Sequence, residues 1–282
     1  MARRYVHSEP TSRLAIWARR MAGFAFAASF LAVIIVRSGL LEIQPALATF
    51  GGALVIAVVA LILALAAFVV IWLEGLGGMG AALSAMVISL ALLAYPAYLG
   101  LKAHRLPWIY DVTTDPIDPP RYEALARVRP RDANPVAYAG LYAAEQQRAA
   151  YPDIGPLGAG ATPQAAYDAA LAIVTKRRWR IVEARTPQAG RRDGRIEAVA
   201  RTPIMGFRDD VIVRVRPDGD GSRIDVRSSS RYGTFDFGAN ASRIRSLLDD
   251  VEDAIAAQKA ARQPAPPTSK KGAPPAKKDK KK

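Results

Sequence analysis

Three stretches without a charged residue dominate this chain. Ala46 to Leu73 runs 28 residues, and Met79 to Leu101 runs 23, with no Asp, Glu, Lys or Arg. Met21 to Val36 adds 16 apolar or small residues and extends back through Leu14, Ile16 and Trp17. A helix needs about 20 apolar residues to cross the hydrocarbon core of a bilayer. The second and third stretches meet this outright, and the first does so once its flank tilts or snorkels. More apolar sequence follows the first stretch, so it does not read as a cleaved leader. The expectation is three spanning helices, about 14–36, 46–73 and 79–101, within a membrane region 1–105.

Charge supplies an orientation. Of the 39 Lys and Arg in 282 residues, five arginines (Arg3, Arg4, Arg13, Arg19, Arg20) precede the first stretch. On the other side of the bilayer come Arg37, then Lys102 and Arg105. The excess of cations before Met21 predicts a cytoplasmic N-terminus. Three crossings then place the remainder on the far side of a bacterial inner membrane, in the periplasm. Most of the net +14 lies elsewhere, in residues 259–282, which hold nine basic residues and Asp279. That stretch reads as a disordered Lys/Pro-rich tail. It has no aromatic residue for base stacking, and nucleic acid is not expected as a partner.

Composition also excludes chemistry. The chain has no Cys, which removes disulfides, thiolate metal sites and Cys nucleophiles. Its two histidines, His7 and His104, flank the membrane region, so no His-based triad or zinc site can form in the soluble part. Gly75 to Gly80 fits a G-x-G-x-x-G pattern, yet an apolar helix precedes it and no acidic residue lies about 20 positions on. It reads as a tight turn between two helices, not a nucleotide loop. No cofactor is expected.

The soluble part divides in two. Residues 106–160 are rich in Pro and Tyr and read as an extended segment packing on the domain, with a short helix near Tyr138 to Ala149. Residues 161–258 show a helix, four strands and a helix. Thr162-Pro163 is an N-cap followed by Pro at the first helical position. Ala166, Tyr167, Ala170, Leu171 and Val174 fall on one helical face. Strands are predicted at Trp179–Ala184, Arg195–Arg201, Val211–Arg216 and Arg223–Ser228, with Gly190 to Gly194 turning between the first two. Val211, Val213 and Val215 alternate with Asp210, Arg214 and Arg216, as do Ile224 and Val226 with Arg223, Asp225 and Arg227. The apolar set points inward and the charged set outward. A last helix spans about Ala241 to Gln258, burying Ile244, Leu247, Leu248, Val251 and Ile255. The fold class is α+β: three N-terminal transmembrane helices, then a two-layer domain of a four-stranded antiparallel sheet and two helices. Parity fixes the hairpin register, pairing Val215 with Ile224, Arg214 with Asp225, and Asp210 with Ser229.

Three segments carry a further signal: Asp111-Val112-Thr113-Thr114-Asp115, then Gly206-Phe207-Arg208-Asp209-Asp210, then Asp225 through Asn240 with Ser228-Ser229-Ser230-Arg231, Gly233, Asp236 and Gly238. Together they resemble a bacterial family, domain of unknown function 1499, over about residues 108 to 256. The preceding helices are similar to those of its membrane-bound members. The resemblance implies a single domain and no assigned activity.

Candidate site residues follow from the register. It brings Asp209 and Asp210 to the hairpin end where Arg227 and Arg231 leave the sheet, with Asp236 and Asn240 beyond. Arg forks suit phosphate and carboxylate, so Arg227 and Arg231 are expected to hold an anionic group, with Asp209 and Asp236 orienting them. Arg243 is a further cation, and Asn240 reads as a helix N-cap. Ser228 to Ser230 lack the base that would activate a nucleophile. The function expected is a membrane-anchored, non-enzymatic cell-envelope protein whose extracytoplasmic domain binds an anionic ligand or an envelope protein. The alternatives are an envelope enzyme using Asp carboxylates in a hydrolase-like way, or a subunit of a membrane transport complex.

Overall fold

The computed structural model describes residues 10–39, 43–188 and 192–262. Arg3, Arg4 and His7, the Gly190 turn and the tail beyond Arg262 lie outside them. The membrane region is three helices, α1 (Arg13–Ser38), α2 (Ile43–Glu74) and α3 (Met79–Ala103), each long and apolar enough to cross a membrane. Their contact faces are alanine. Ala15, Ala18 and Ala22 of α1 meet Ala60, Ala64 and Ala67 of α2 and Ala82 and Ala85 of α3. Large side chains such as Phe24, Phe30, Ile62, Val69 and Val87 stand exposed around the outside. Small residues let helix backbones approach where lipid removes any hydrophobic gain from burying large ones. The Gly75–Gly80 segment is the α2–α3 turn, and its Gly77 exchanges hydrogen bonds with Pro10 and Ser12 ahead of α1.

Among the described residues the domain holds a six-stranded antiparallel sheet, not the four strands expected. The strands are β1 (Asp111–Thr113), β2 (Leu157–Ala159), β3 (Arg180–Arg185), β4 (Gly194–Arg201), β5 (Arg208–Asp218) and β6 (Gly221–Ser230), in the order β1-β6-β5-β4-β3 with β2 also on β6. The two unforeseen strands are three residues each, too short for alternation to register. They divide the outer edge of β6 between them: β1 pairs with Arg227 to Ser229, and β2 with Ser222 to Ile224. The β5–β6 register matches the parity argument, with Val215 opposite Ile224, Arg214 opposite Asp225 and Asp210 opposite Ser229.

Helices α6 (Pro163–Lys176) and α7 (Ala239–Arg262) cover one face. Thr162 Oγ1 accepts from Ala165 N at the start of α6. The core there joins Ala166, Tyr167, Ala170 and Val174 to Ile196, Val211, Val213, Val215, Ile224 and Val226, closed by Ile244, Leu247 and Val251.

The opposite face overturns the two-layer, charge-outward expectation. Glu197, Asp210, Arg214, Asp225 and Arg227 are all buried. What covers them is the segment after β1, with the short helix α4 (Ala124–Val128); α5 (Gly140–Ala150) follows at the β1 edge, where Gln147 exchanges hydrogen bonds with the Thr113 backbone. Tyr122 and Leu125 seat on Val199 and Ile212. The Tyr122 hydroxyl donates to Asp210 O, and Glu197 accepts from the amides of Glu123 and Leu125, both at 2.8 Å. Period-two alternation in a sheet separates two environments; it does not say that the polar one is water.

The C-terminal end of α1 is clasped by the domain. Arg37 Nη1 donates to the carbonyls of Pro203 (2.6 Å) and Ile204 (2.9 Å), and Arg201 Nη1 donates back to Arg37 O at 2.9 Å. Two glycines permit this approach. A Cβ on Gly39 (φ 67°) would overlap the Arg208 guanidinium, and one on Gly206 (φ 72°) would fall 2.7 Å from Arg37 Cγ.

Candidate functional site

The residues singled out by sequence converge on one end of the hairpin but divide between its two faces. On the strap-covered face, Asp210 is held by two arginines: Arg129 Nε at 2.7 Å and Arg231 Nε at 2.8 Å. Arg227 forms a two-pronged pair with Asp111, Nε to Oδ1 at 3.0 Å and Nη2 to Oδ2 at 2.6 Å. Its remaining donors reach Pro120 O and Val136 O, and its guanidinium lies 4.6 Å from the Tyr122 ring centre and 5.5 Å from that of Tyr138. Burial raises the Asp111 carboxyl above its usual range, against the pull of Arg227. Burial likewise pushes the Tyr138 phenol up to about 12.

On the helix-covered face, Asp209 pairs with Arg243 Nη2 at 2.5 Å. Asp236 accepts from the amides of Gly238 and Asn240, both at 2.8 Å, so Asp236 caps α7. Asn240, expected as the cap, lies inside the first turn. Its Oδ1 accepts from Ser228 Oγ and Arg243, and its Nδ2 donates to Tyr110 O and Ser230 Oγ. Burial also raises the carboxyls of Asp209 and Asp236. Thus Arg227 and Arg231 do not converge on a shared opening. Each is spent on its own buried carboxylate, and neither Asp209 nor Asp236 touches them. Adjacent strand residues face opposite ways, which separates Asp209 from Asp210.

The same end of the sheet holds a feature the sequence reading missed. A cleft of about 260 Å³ is lined by Arg177, Arg178, Trp179, Arg180, Val199, Arg201 and Arg208. Arg201 and Arg208 sit directly opposite each other on β4 and β5. Like charges so placed repel. Three other arginine pairs in this sheet also lie opposite each other; two share a carboxylate, and in the third, Arg195 and Arg214, each holds its own, Glu123 for Arg195 and Asp118 and Asp225 for Arg214. Arg185 and Arg195 share Glu123, and Arg216 and Arg223 share Asp115 and Asp225. Among the described residues no carboxylate bridges Arg201 and Arg208, and Arg178 and Arg180 have no carboxylate partner either. The Arg208 pKa is lowered, first by burial and then by Arg201, Arg231 and Arg180. Arg178 adopts φ 55°, a conformation usually left to glycine after a helix, and it keeps its long cation at the cleft. One signal was available in sequence: α6, β4 and β5 all place arginines at this end, at Arg177-Arg178, Arg201 and Arg208.

The fold and charge distribution define an α+β domain carried on three long apolar helices, with an unbridged cationic cleft beside the end of the first. The chain belongs to the protein family of unknown function DUF1499, whose model matches residues 111–251. No curated protein matches the chain. Among solved structures it is similar to TTHA0849 from Thermus thermophilus, at 14% identity over 37% of this chain and 96% of that one, with a TM-score of 0.22. It is also similar to Ara h 8.0201 (10% identity, 36% and 95% covered, TM-score 0.23) and to CalU16 from Micromonospora echinospora (12%, 38% and 76%, 0.21). Likenesses this loose say nothing of what the chain does.

Proposed function

We propose that this is a membrane-anchored, non-enzymatic protein of the bacterial cell envelope whose C-terminal domain binds an anionic ligand, or an anionic group on an envelope partner. The observation that carries the reading is the opposed pair Arg201 and Arg208, which no carboxylate bridges among the described residues, in a cleft with Arg178 and Arg180 and with Arg177, which holds Asp250. Repulsion left standing in a domain whose other opposed arginines each hold a carboxylate is relieved by an anion from outside. The buried carboxylates speak against acid/base work: Asp111, Asp209 and Asp210 each hold an arginine, and Asp236 caps a helix. The five arginines before Met21 support an inner-membrane placement with a cytoplasmic N-terminus and a periplasmic domain.

The test is titration of the full chain, in neutral detergent, with pyrophosphate, followed by the fluorescence of Trp179 in the cleft. A saturable change that weakens with salt and disappears in Arg208→Glu is expected. No change in the wild-type protein, by fluorescence or by calorimetry, defeats the anion-binding reading.

A further inference from the structure

The cleft lies at a definite height above the bilayer. Ile34 is an exposed apolar residue of α1, and Gly39, on which Arg208 packs, follows five residues later. At 1.5 Å per residue that is a rise of about 7.5 Å. The headgroup zone adds roughly 5–8 Å to each side of the hydrocarbon core, so Arg208 stands at headgroup level. Aromatic residues mark the same level. Trp108, five residues past α3, is 66% exposed and stacks on Phe235 with ring centres 5.0 Å apart. Exposed Trp at a helix exit is characteristic of the membrane interface. The clasp between Arg37 and Arg201 fixes this geometry, since the cleft wall is hydrogen-bonded to the helix end itself.

We infer that the cleft seats the phosphate of an anionic phospholipid from the leaflet the domain faces. This rests on the anion-binding reading above and names its ligand. Arg201 and Arg208 flank the phosphodiester from two strands, with Arg178 and Arg180 beside it, while the acyl chains remain among the exposed apolar side chains of α1. A soluble phosphate has the same chemistry but gains nothing from the cleft's place beside Gly39. A lipid is already concentrated there, with its phosphate at that height.

The experiment uses the full chain in neutral-detergent micelles. It counts retained lipid by native mass spectrometry while phosphatidylglycerol or phosphatidylcholine is titrated in, with glycerol 3-phosphate and inorganic phosphate as soluble arms. One phosphatidylglycerol retained per chain is expected, at least tenfold tighter than phosphatidylcholine and than either soluble phosphate. Arg178→Gly is the informative variant. It removes one cation from the cleft and relieves the left-handed backbone at that position. It should therefore bind phosphatidylglycerol about fivefold more weakly, with an unchanged or raised melting temperature. Glycerol 3-phosphate or inorganic phosphate binding as tightly as phosphatidylglycerol would overturn the lipid assignment and leave the anion cleft in place. Equal retention of both lipids, with no binding of either soluble phosphate, would remove both readings.

Discussion

Replacing Arg227 with Met isolates what the covered ionic face contributes. The change preserves much of the side-chain length between Tyr122 and Tyr138 but deletes four hydrogen bonds, two of them to the Asp111 carboxylate. Asp111 is 1% exposed, so it cannot recover water in exchange. Removing one partner of a buried pair costs about 3–5 kcal/mol, because a charge is left buried alone. At about 2–4 °C per kcal/mol for a domain of this size, the melting temperature falls by roughly 6–20 °C. Adding Asp111→Asn to Arg227→Met should restore about 1–3 kcal/mol, since the orphaned charge is gone. Burial already raises the Asp111 pKa above its ordinary value of about 3.9, and deleting Arg227 takes away the influence that lowers it. A carboxyl with a raised folded-state pKa favours folding when protonated. Its stabilisation is complete below the unfolded pKa and is lost as pH rises through the folded one. The deficit of Arg227→Met should therefore be largest at pH 7 and shrink as pH falls toward 4. Urea unfolding of the full chain in micelles, followed by circular dichroism across that range, measures it. Additive single and double variants, or a deficit independent of pH, would refute the argument.

Four further outcomes are expected. Asp225→Ala removes the buried carboxylate shared by Arg214, Arg216 and Arg223, which keep Asp115 and Asp118, and should cost about 1–3 kcal/mol; Arg216→Ala, on the more exposed side, should cost about 0–1 kcal/mol, and equal costs would show that burial is not deciding. Glu197→Ala removes the acceptor for the Glu123 and Leu125 amides, so hydrogen exchange should accelerate over residues 120–130 while β5 stays protected; unchanged exchange would count against this anchor. Asp236→Ala loses the two capping bonds of α7 and should cost about 1–2 kcal/mol by urea unfolding, whereas a neutral result would return the capping role to another group. For topology, the chain has no natural Cys, and a Cys in place of exposed Asp220 should react with an impermeant maleimide in spheroplasts while one in place of Glu74 is protected; the reverse pattern inverts the orientation.

The hairpin register and the helix-facing core were legible because Val211, Val213, Val215, Ile224 and Val226 obey a period that admits no one-residue slip. Two things were not. Alternation places Asp210 and Arg227 on the second face, but only the path of residues 115–139 says whether that face is wet, and a Pro-rich strap carries no period. The pairing of candidate site residues was hidden for a related reason. Arg227 finds Asp111 across 116 positions, and nothing local in either sequence neighbourhood names the other. The arginine cleft was closer to hand. Arg201 and Arg208 are separated by a short turn, and antiparallel pairing across it sets them face to face. What the sequence could not supply was the absence of a bridging acid, which depends on where Glu123, Asp115 and Asp225 settle.

A sheet with an oily face and an ionic face ages differently on its two sides. On the oily side, a volume-conserving exchange such as Ile244 to Leu costs under about 1.5 kcal/mol and is taken up by small shifts of its neighbours, because volume is a continuous quantity. On the ionic side charge is all or nothing. Asp111 and Arg227 can be exchanged for an apolar pair only by passing through a chain that lacks one of them, a step of about 3–5 kcal/mol against a total stability of about 5–15 kcal/mol. Lineages descending from such a chain are expected to wander freely in one half of the domain while the other half changes in simultaneous pairs or stands still.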